Sequence, residues 1–166
     1  MSDLAPLTGR AFVFGDDIDT DLLAPGHLMK LSAEDLARHC LEAIDPGFAG
    51  AVRPGDFVVA GRNFGLGSSR EQAAVSLKLL GVGAVLATGF ARIFYRNALN
   101  LGLPALFCDW HGIETGDALQ VEPMAGRVVN LTKRVTLSAR PIPPHLMDMV
   151  RAGGLIAQLA ARRTAA

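Results

Sequence analysis

An α/β fold, a mixed sheet with flanking helices, is what this sequence predicts, and three observations predict it. Short apolar runs of the buried-strand type, DFVVAG (Asp56–Gly61), AVLATG (Ala84–Gly89) and LPALFC (Leu103–Cys108), alternate with helical patterns. That strand–helix–strand–helix–strand order favours parallel pairing through right-handed crossovers. Beyond HGIETGD the texture changes to short alternating runs divided by turns, which predicts an antiparallel segment. Length agrees: 166 residues, 50% of them hydrophobic, suit one domain with a real core. That domain is expected to span 1–166, with its core at about 10–155 and a tail at 156–166.

Taken in order, RAFVFG (Arg10–Gly15) reads as the first strand and DDIDTD as a polar turn. APGHLMK is a Pro-Gly loop. Ser32 is placed to cap a helix, with Asp35 as its capping-box partner, and Leu36, Cys40 and Ile44 recur on one face behind it. DPGFAGAVRPG is a loop. A helical pattern runs from Arg70 to Leu80, with Ala73, Leu77 and Leu80 on one face, and Gly81 ends it. FARIFYRNALNLG is a helix or helical turn closed by Gly102. ALQVEP, RVVNLT and RVTLSA are the antiparallel strands. Pro144 suits the first position of a helix through HLMDMVRA, which meets Gly153 and Gly154. LIAQLAARR, with two arginines at its end, makes a last helix.

Charge narrows the function classes. Acidic and basic residues balance at 16 each, and no basic run interrupts the chain, which counts against nucleic acid as a partner. No apolar run is long enough to span a bilayer, so no membrane partner is expected. MSDLAPLTGRAF has no charged-then-apolar signal pattern, so the cytoplasm is the expected location. Cys40 and Cys108 are far apart in apolar settings. They lack metal-ligand spacing, and two lone thiols cannot hold an iron–sulfur cluster.

The stretch GRNFGLGSSREQAA (Gly61–Ala74) is the centre of chemical interest. It is not a P-loop, because Gly67 stands where the lysine belongs. Nor is it a dinucleotide fingerprint, since position 70 is arginine, or a hydrolase elbow, since no glycine follows either serine at the required distance. Ser68-x-x-Glu71 and Ser69-x-x-Gln72 both read as capping boxes, of which only one can form. The same residues also describe a small-anion site. A helix opens after a strand, so free N–H groups point outward. Arg70 can grip a carboxylate with two hydrogen bonds, and Gly65 and Gly67 let a ligand approach the backbone. A serine in that setting acts as a base only if positive groups stabilise its alkoxide, and Arg70 and the helix terminus are both of that kind.

GDDIDTDLLAPG, GRNFGLGSSRE, FARIFYRNALNLGLPAL and MVRAGGL together resemble the small subunits of the 3-isopropylmalate dehydratases and, more broadly, the swivelling domain of the aconitase superfamily. The resemblance runs in order from about Phe12 to Leu155. It implies a swivelling β/β/α domain and a hydro-lyase that moves a hydroxyl between adjacent carbons of a hydroxy-carboxylate, here 3-isopropylmalate and 2-isopropylmalate in leucine biosynthesis. It also implies a large-subunit partner that carries a [4Fe–4S] cluster as Lewis acid, with no metal held by this chain. On that resemblance Ser68 is the alkoxide base, Arg70 the substrate-carboxylate ligand and Ser69 a support for the anion. Asp21 matches an acidic active-site residue, with turn capping as its other reading. His27, Leu28, Met29 and Lys30 match the loop that faces the substrate's variable group.

Some positions depart from that pattern: Leu66 for cysteine or glutamate, Gln72 for histidine, Thr88-Gly89 for Lys-Ser, and His27-Leu28 for Tyr-Leu. They surround the site, so related substrates such as homoaconitate, 2,3-dimethylmalate or citraconate are alternatives. Arg92 and Arg96, one helical turn apart, could meet substrate, the large subunit or acidic side chains, and structural salt bridges to acidic side chains are the expectation. Phe90, Phe94, Tyr95 and Trp110 are expected in the core or at a subunit contact.

Overall fold

The computed structural model describes residues 5–165. Seven strands form one sheet: β1 (Leu7–Val13), β2 (Phe57–Ala60), β3 (Ala84–Ala87), β4 (Ala105–Phe107), β5 (Ala118–Glu122), β6 (Arg127–Asn130) and β7 (Val135–Ser138). Their spatial order is β4-β3-β2-β1-β5-β6-β7. The pairs β1–β2, β2–β3 and β3–β4 are parallel, and β1–β5, β5–β6 and β6–β7 antiparallel. The parallel core and antiparallel extension are thus as expected, and β1 joins the two. The sheet curls until its ends meet: Cys108, just after β4, bridges Ala139, just after β7, and Arg140 N–H donates to the Phe107 carbonyl at 2.8 Å.

β2 and β3 are buried on both faces and β4 nearly so, which is why they read as unbroken apolar runs. Val58, Ala60, Val85, Ala87 and Ala105 face one core; Phe57, Val59, Ala84, Leu86 and Leu106 face the other. Helices α1 (Thr20–Leu23), α2 (Ala33–Ala37), α3 (Phe48–Ala51), α4 (Gln72–Leu79) and α5 (Arg92–Asn100) connect the parallel half. Leu23, Phe48, Ala73, Leu77, Phe94 and others of their residues fill the first core. The second core lies inside the curl, where Leu119, Val121 and Val128 meet Met147 and Met149 of α6 (Pro144–Arg151). Pro144 stands in the first turn of α6, as expected, and α7 (Leu155–Ala165) follows with Arg162 and Arg163 in its last turn.

Several local expectations need correction. The first strand begins at Leu7 and ends at Val13, ahead of the Arg10–Gly15 reading. DDIDTD is not only a turn, because Asp19 caps α1 through Leu22 N–H at 2.8 Å. APGHLMK contains a 3-10 turn at Gly26–Leu28, and the loop after Asp45 contains α3, which buries Phe48 fully. Ser32 does cap α2, accepting from Asp35 N–H at 3.1 Å. That helix nevertheless stops at Ala37, and Leu41 takes a φ of 62° while remaining fully buried. The break leaves Ile44 48% exposed, off the stripe. Burying Leu41 outweighs the cost of its left-handed backbone, about 1–2 kcal/mol against about 1.5–3 for full burial.

Candidate functional site

The loops that follow β1, β2 and β3 lie side by side at the carboxyl ends of the parallel strands, where open α/β sheets bind ligands. Backbone bonds stitch the first two loops beyond the end of the strands. Gly61 N–H donates to Gly15, Asp17 to Arg62, Gly65 to Ile18 and Thr20 to Leu66, at 2.7–3.1 Å. On the other side Phe64 N–H donates to Gly89 and Ala91 N–H to Phe64, at 2.9 and 2.8 Å. Side chains reinforce the seam: Asn63 Nδ2 donates to Asp17 at 2.9 Å and Arg62 N–H to Asp16 at 2.7 Å. The Arg62 amide and guanidinium hold the Asp16 carboxyl below its ordinary pKa.

The chain therefore enters Gly67-Ser68-Ser69 already fixed, and Gly67 has a φ of 111°. Here the capping expectation fails. α4 begins at Gln72, Glu71 stands at its N-cap, and no side chain caps it. Seam bonds hold the loop off the helix end, and the Ser68 hydroxyl turns to Thr20 instead, with 3.2 Å between the oxygens. Both serines are exposed. Among the described residues, the N–H groups of Ser68, Ser69, Arg70 and Glu71 meet no protein acceptor. A row of unpaired amides beside two hydroxyls is an anion-attracting edge.

Arg70 closes one side of this edge. Its Nη1 donates to the Ala24 carbonyl at 2.7 Å and lies 3.4 Å from Asp21 Oδ1. Among the described residues only that nitrogen is engaged, so the rest of the guanidinium fork is available to a carboxylate. Asp21 combines both of its expected readings. Its Oδ1 accepts the Gly26 amide at 2.7 Å, capping the turn, and it also pairs with Arg70. The Gly26 amide is the main reason its carboxyl titrates below the ordinary value, and Arg70 adds to it. A side chain at Gly26 would crowd this pair, since a Cβ there would lie 3.1 Å from Asp21 Oδ1 and 3.5 Å from Arg70 Nη2.

From Gly26 the chain runs directly into the expected specificity loop. His27 and Lys30 are exposed, and Leu28 and Met29 are half-buried. The structure thus gathers Ser68, Ser69, Arg70, Asp21 and the start of the His27–Lys30 loop in one region. Sequence reasoning passes over Thr20 and Ala24, which orient Ser68 and Arg70. The one signal for Thr20 is its place inside the DTD motif.

Other expectations divide. Arg92 and Arg96 are exposed, and among the described residues neither has an acid within salt-bridge distance, so the expected ion pair is absent. The reason is positional: α5 has no acid in its first turn, and its outer face carries Ile93, Asn97 and Asn100. Phe94 is core, and Phe90 and Tyr95 pack half-buried against Phe107 with ring centroids 5.1 and 5.2 Å away. Trp110 stacks on His111 at 4.6 Å. Leu66 is half-buried and gives its carbonyl to Thr20; nothing in the structure explains its side chain.

Among the described residues no three His, Cys, Asp or Glu side chains group to hold a metal. Cys40 and Cys108 belong to different cores, and burial raises both thiols, Cys108 to about 11. Thiols so placed do not fit as ligands of an iron–sulfur cluster, which needs accessible, converging thiolates. No helix among the described residues is long and apolar enough to cross a membrane.

Comparison with known proteins agrees with this geometry. The family described as the Aconitase C-terminal domain matches residues 44–108. The chain is 50% identical to the "3-isopropylmalate dehydratase small subunit 2" of Archaeoglobus fulgidus, covering 90% of this chain and 92% of that protein. It is 46% identical to the 3-isopropylmalate dehydratase small subunit of Moorella thermoacetica, over 93% and 95%. The crystal structure of a 3-isopropylmalate dehydratase from Methanocaldococcus jannaschii superposes with a TM-score of 0.91 at 40% identity, covering 96% of both chains. A mixed, curled seven-stranded sheet with flanking helices, a loop seam at the ends of its parallel strands, and this degree of likeness lead to one conclusion: the chain belongs to the family of 3-isopropylmalate dehydratase small subunits.

Proposed function

We propose that this chain is the small subunit of a hydro-lyase that interconverts 3-isopropylmalate and 2-isopropylmalate by dehydration and rehydration, a step of leucine biosynthesis. The observation that carries the proposal is the Ser68–Arg70 edge. A hydroxyl, a row of unpaired amides and a partly free guanidinium converge at the ends of the parallel strands. The names of its relatives support that substrate and a large-subunit partner.

In this reading Arg70 and the loop amides bind a substrate carboxylate. The Ser68 alkoxide takes the proton from the carbon beside a carboxylate. The C–H electron pair forms the C=C bond as the C–O bond on the neighbouring carbon breaks, and the departing hydroxide takes a proton from solvent and leaves as water. Rehydration adds the hydroxyl of a water to the other carbon, the water's second proton passes to solvent, and Ser68 returns its proton to the carbon that lost the hydroxyl. Positive charge around Ser68 lowers the cost of its alkoxide, and general-base catalysis of this kind contributes about 10²–10⁴-fold. The large subunit brings the [4Fe–4S] cluster, the Lewis acid for the departing hydroxyl. Leu28 and Met29 are the half-buried members of the specificity loop, while Lys30 stays exposed. That balance suits an alkyl substituent over a third carboxylate.

The test is co-expression with a large subunit, anaerobic cluster reconstitution, and a panel of hydroxy acids followed by absorbance of the unsaturated product. 3-Isopropylmalate is expected to have the highest kcat/KM. A higher value for 2,3-dimethylmalate, or for the hydroxy acids that dehydrate to homoaconitate or citraconate, would overturn the substrate. No binding to the large subunit and no turnover would overturn the subunit reading.

A further inference from the structure

We infer that Thr20 is a positioning residue for the base, holding the Ser68 hydroxyl in place and donating to its alkoxide; this rests on Ser68 being the base. Thr20 is 4% exposed, whereas Ser68 is exposed, and their oxygens are 3.2 Å apart. The threonine is held from several sides. Its N–H donates to Leu66 at 2.8 Å, its carbonyl accepts from Ala24 at 2.8 Å, and its β-branch stiffens χ1. The opposite loop leaves room for its hydroxyl, because a Cβ at Gly67 would lie 3.0 Å from Thr20 Oγ1. A buried, fixed hydroxyl thus faces an exposed one.

The chemistry gives this contact a direction. While Ser68 is neutral, either hydroxyl can donate. Once Ser68 has lost its proton it can only accept, so Thr20 becomes the donor to an anion. Bonds to charged groups are the stronger class. Thr20 therefore favours the alkoxide over the neutral serine and lowers the cost of forming the base. A bond that only located Ser68 would not change its proton affinity.

The experiment uses the assembled, cluster-loaded enzyme with Thr20→Val, Thr20→Ser and Ser68→Ala, measuring kcat, KM and the pH profile. Melting of each isolated chain is recorded beside it. Thr20→Val keeps the shape and removes the donor. It is expected to lower kcat about 10- to 100-fold with KM little changed. The apparent pKa of the basic group is expected to rise by about one to two units, the same change expressed as proton affinity. Thr20→Ser keeps the hydroxyl and is expected to recover most of kcat and the original profile. If Thr20→Val does not fold, Thr20→Ala against Thr20→Ser carries the same comparison. Wild-type kinetics in Thr20→Val, with Ser68→Ala inactive, would overturn the role of Thr20 and leave the base standing. Equal losses in Val and Ser variants with an unmoved pH profile would make Thr20 structural, overturning the inference. Full turnover in Ser68→Ala would remove the base and this inference with it.

Discussion

Asp21 and Arg70 show how two residues divide a site between holding it together and leaving it reactive. Asp21 spends its Oδ1 on the Gly26 amide and on one nitrogen of Arg70, which aims the guanidinium without saturating it. Its folded pKa lies below the unfolded value of 3.8. A depressed carboxylate contributes stability that is fully present above 3.8 and lost as pH falls through the folded pKa. The Asp21 carboxyl is therefore expected to titrate below 3.8 in a carbon-detected NMR titration of the native chain. Arg70→Met is expected to move it only part of the way back, because the Gly26 amide is the larger cause; a full return to 3.8 would show the ranking to be wrong. At this scale the sequence was partly legible. Ser68, Ser69 and Arg70 stand in one short stretch, so their types and spacing can be read together. Thr20 and Ala24 lie 48 and 46 residues from their partners, beyond any spacing rule. The serine capping boxes misled for the same reason. A cap is worth about 1 kcal/mol, and several seam bonds from a distant loop outweigh it.

Helix ends repeat the contrast between local and distant control. The C-terminus of α4 was legible because its stop is local. Gly81 N–H donates to Lys78 at 3.0 Å and Val82 N–H to Leu77 at 3.1 Å, a paired closure that needs a left-handed residue at position 81. The end of α2 was not legible, because burial of Leu41 against distant elements decides it. Gly81 is also pressed from outside: at its φ of 86° a Cβ would lie 2.9 Å from the Pro54 Cα. Gly81→Ala therefore adds overpacking, about 1–3 kcal/mol, to a backbone cost of about 1–2. Gly112, at a φ of 94°, has nothing within 4 Å of its Cβ position. Gly112→Ala should show the backbone cost alone. Urea titrations of both variants check this, and equal losses would mean that the chain around Pro54 gives way.

The molecule as a whole is two cores divided by one sheet, and the sheet is where local patterns stop informing. The parallel run from β2 to β4 was legible because its crossovers connect neighbours. The insertion of β1 between β2 and β5, and the closure from Cys108 to Ala139, depend on contacts far apart in the chain. Those contacts make each face depend on the other: β2 and β3 present alternate residues to both cores, so neither core can open while the strands stay intact. The cysteines report on this directly. Cys40 is 0% exposed in the first core and Cys108 is 4% exposed in the second. Burial raises both thiols, so in the native state near neutral pH neither is expected to react with a thiol reagent. If the sheet makes one cooperative unit, both thiols become reactive only in the globally unfolded state, and their labelling should show the same dependence on urea. Mass spectrometry of labelled peptides through a urea series measures each site separately. Labelling of Cys108 at lower urea than Cys40 would mean that the curl, held at its seam by the Cys108–Ala139 bridge and the Arg140 N–H to Phe107 bond, opens first. The two cores would then be separate units, with the parallel half carrying the site loops able to stand without the other.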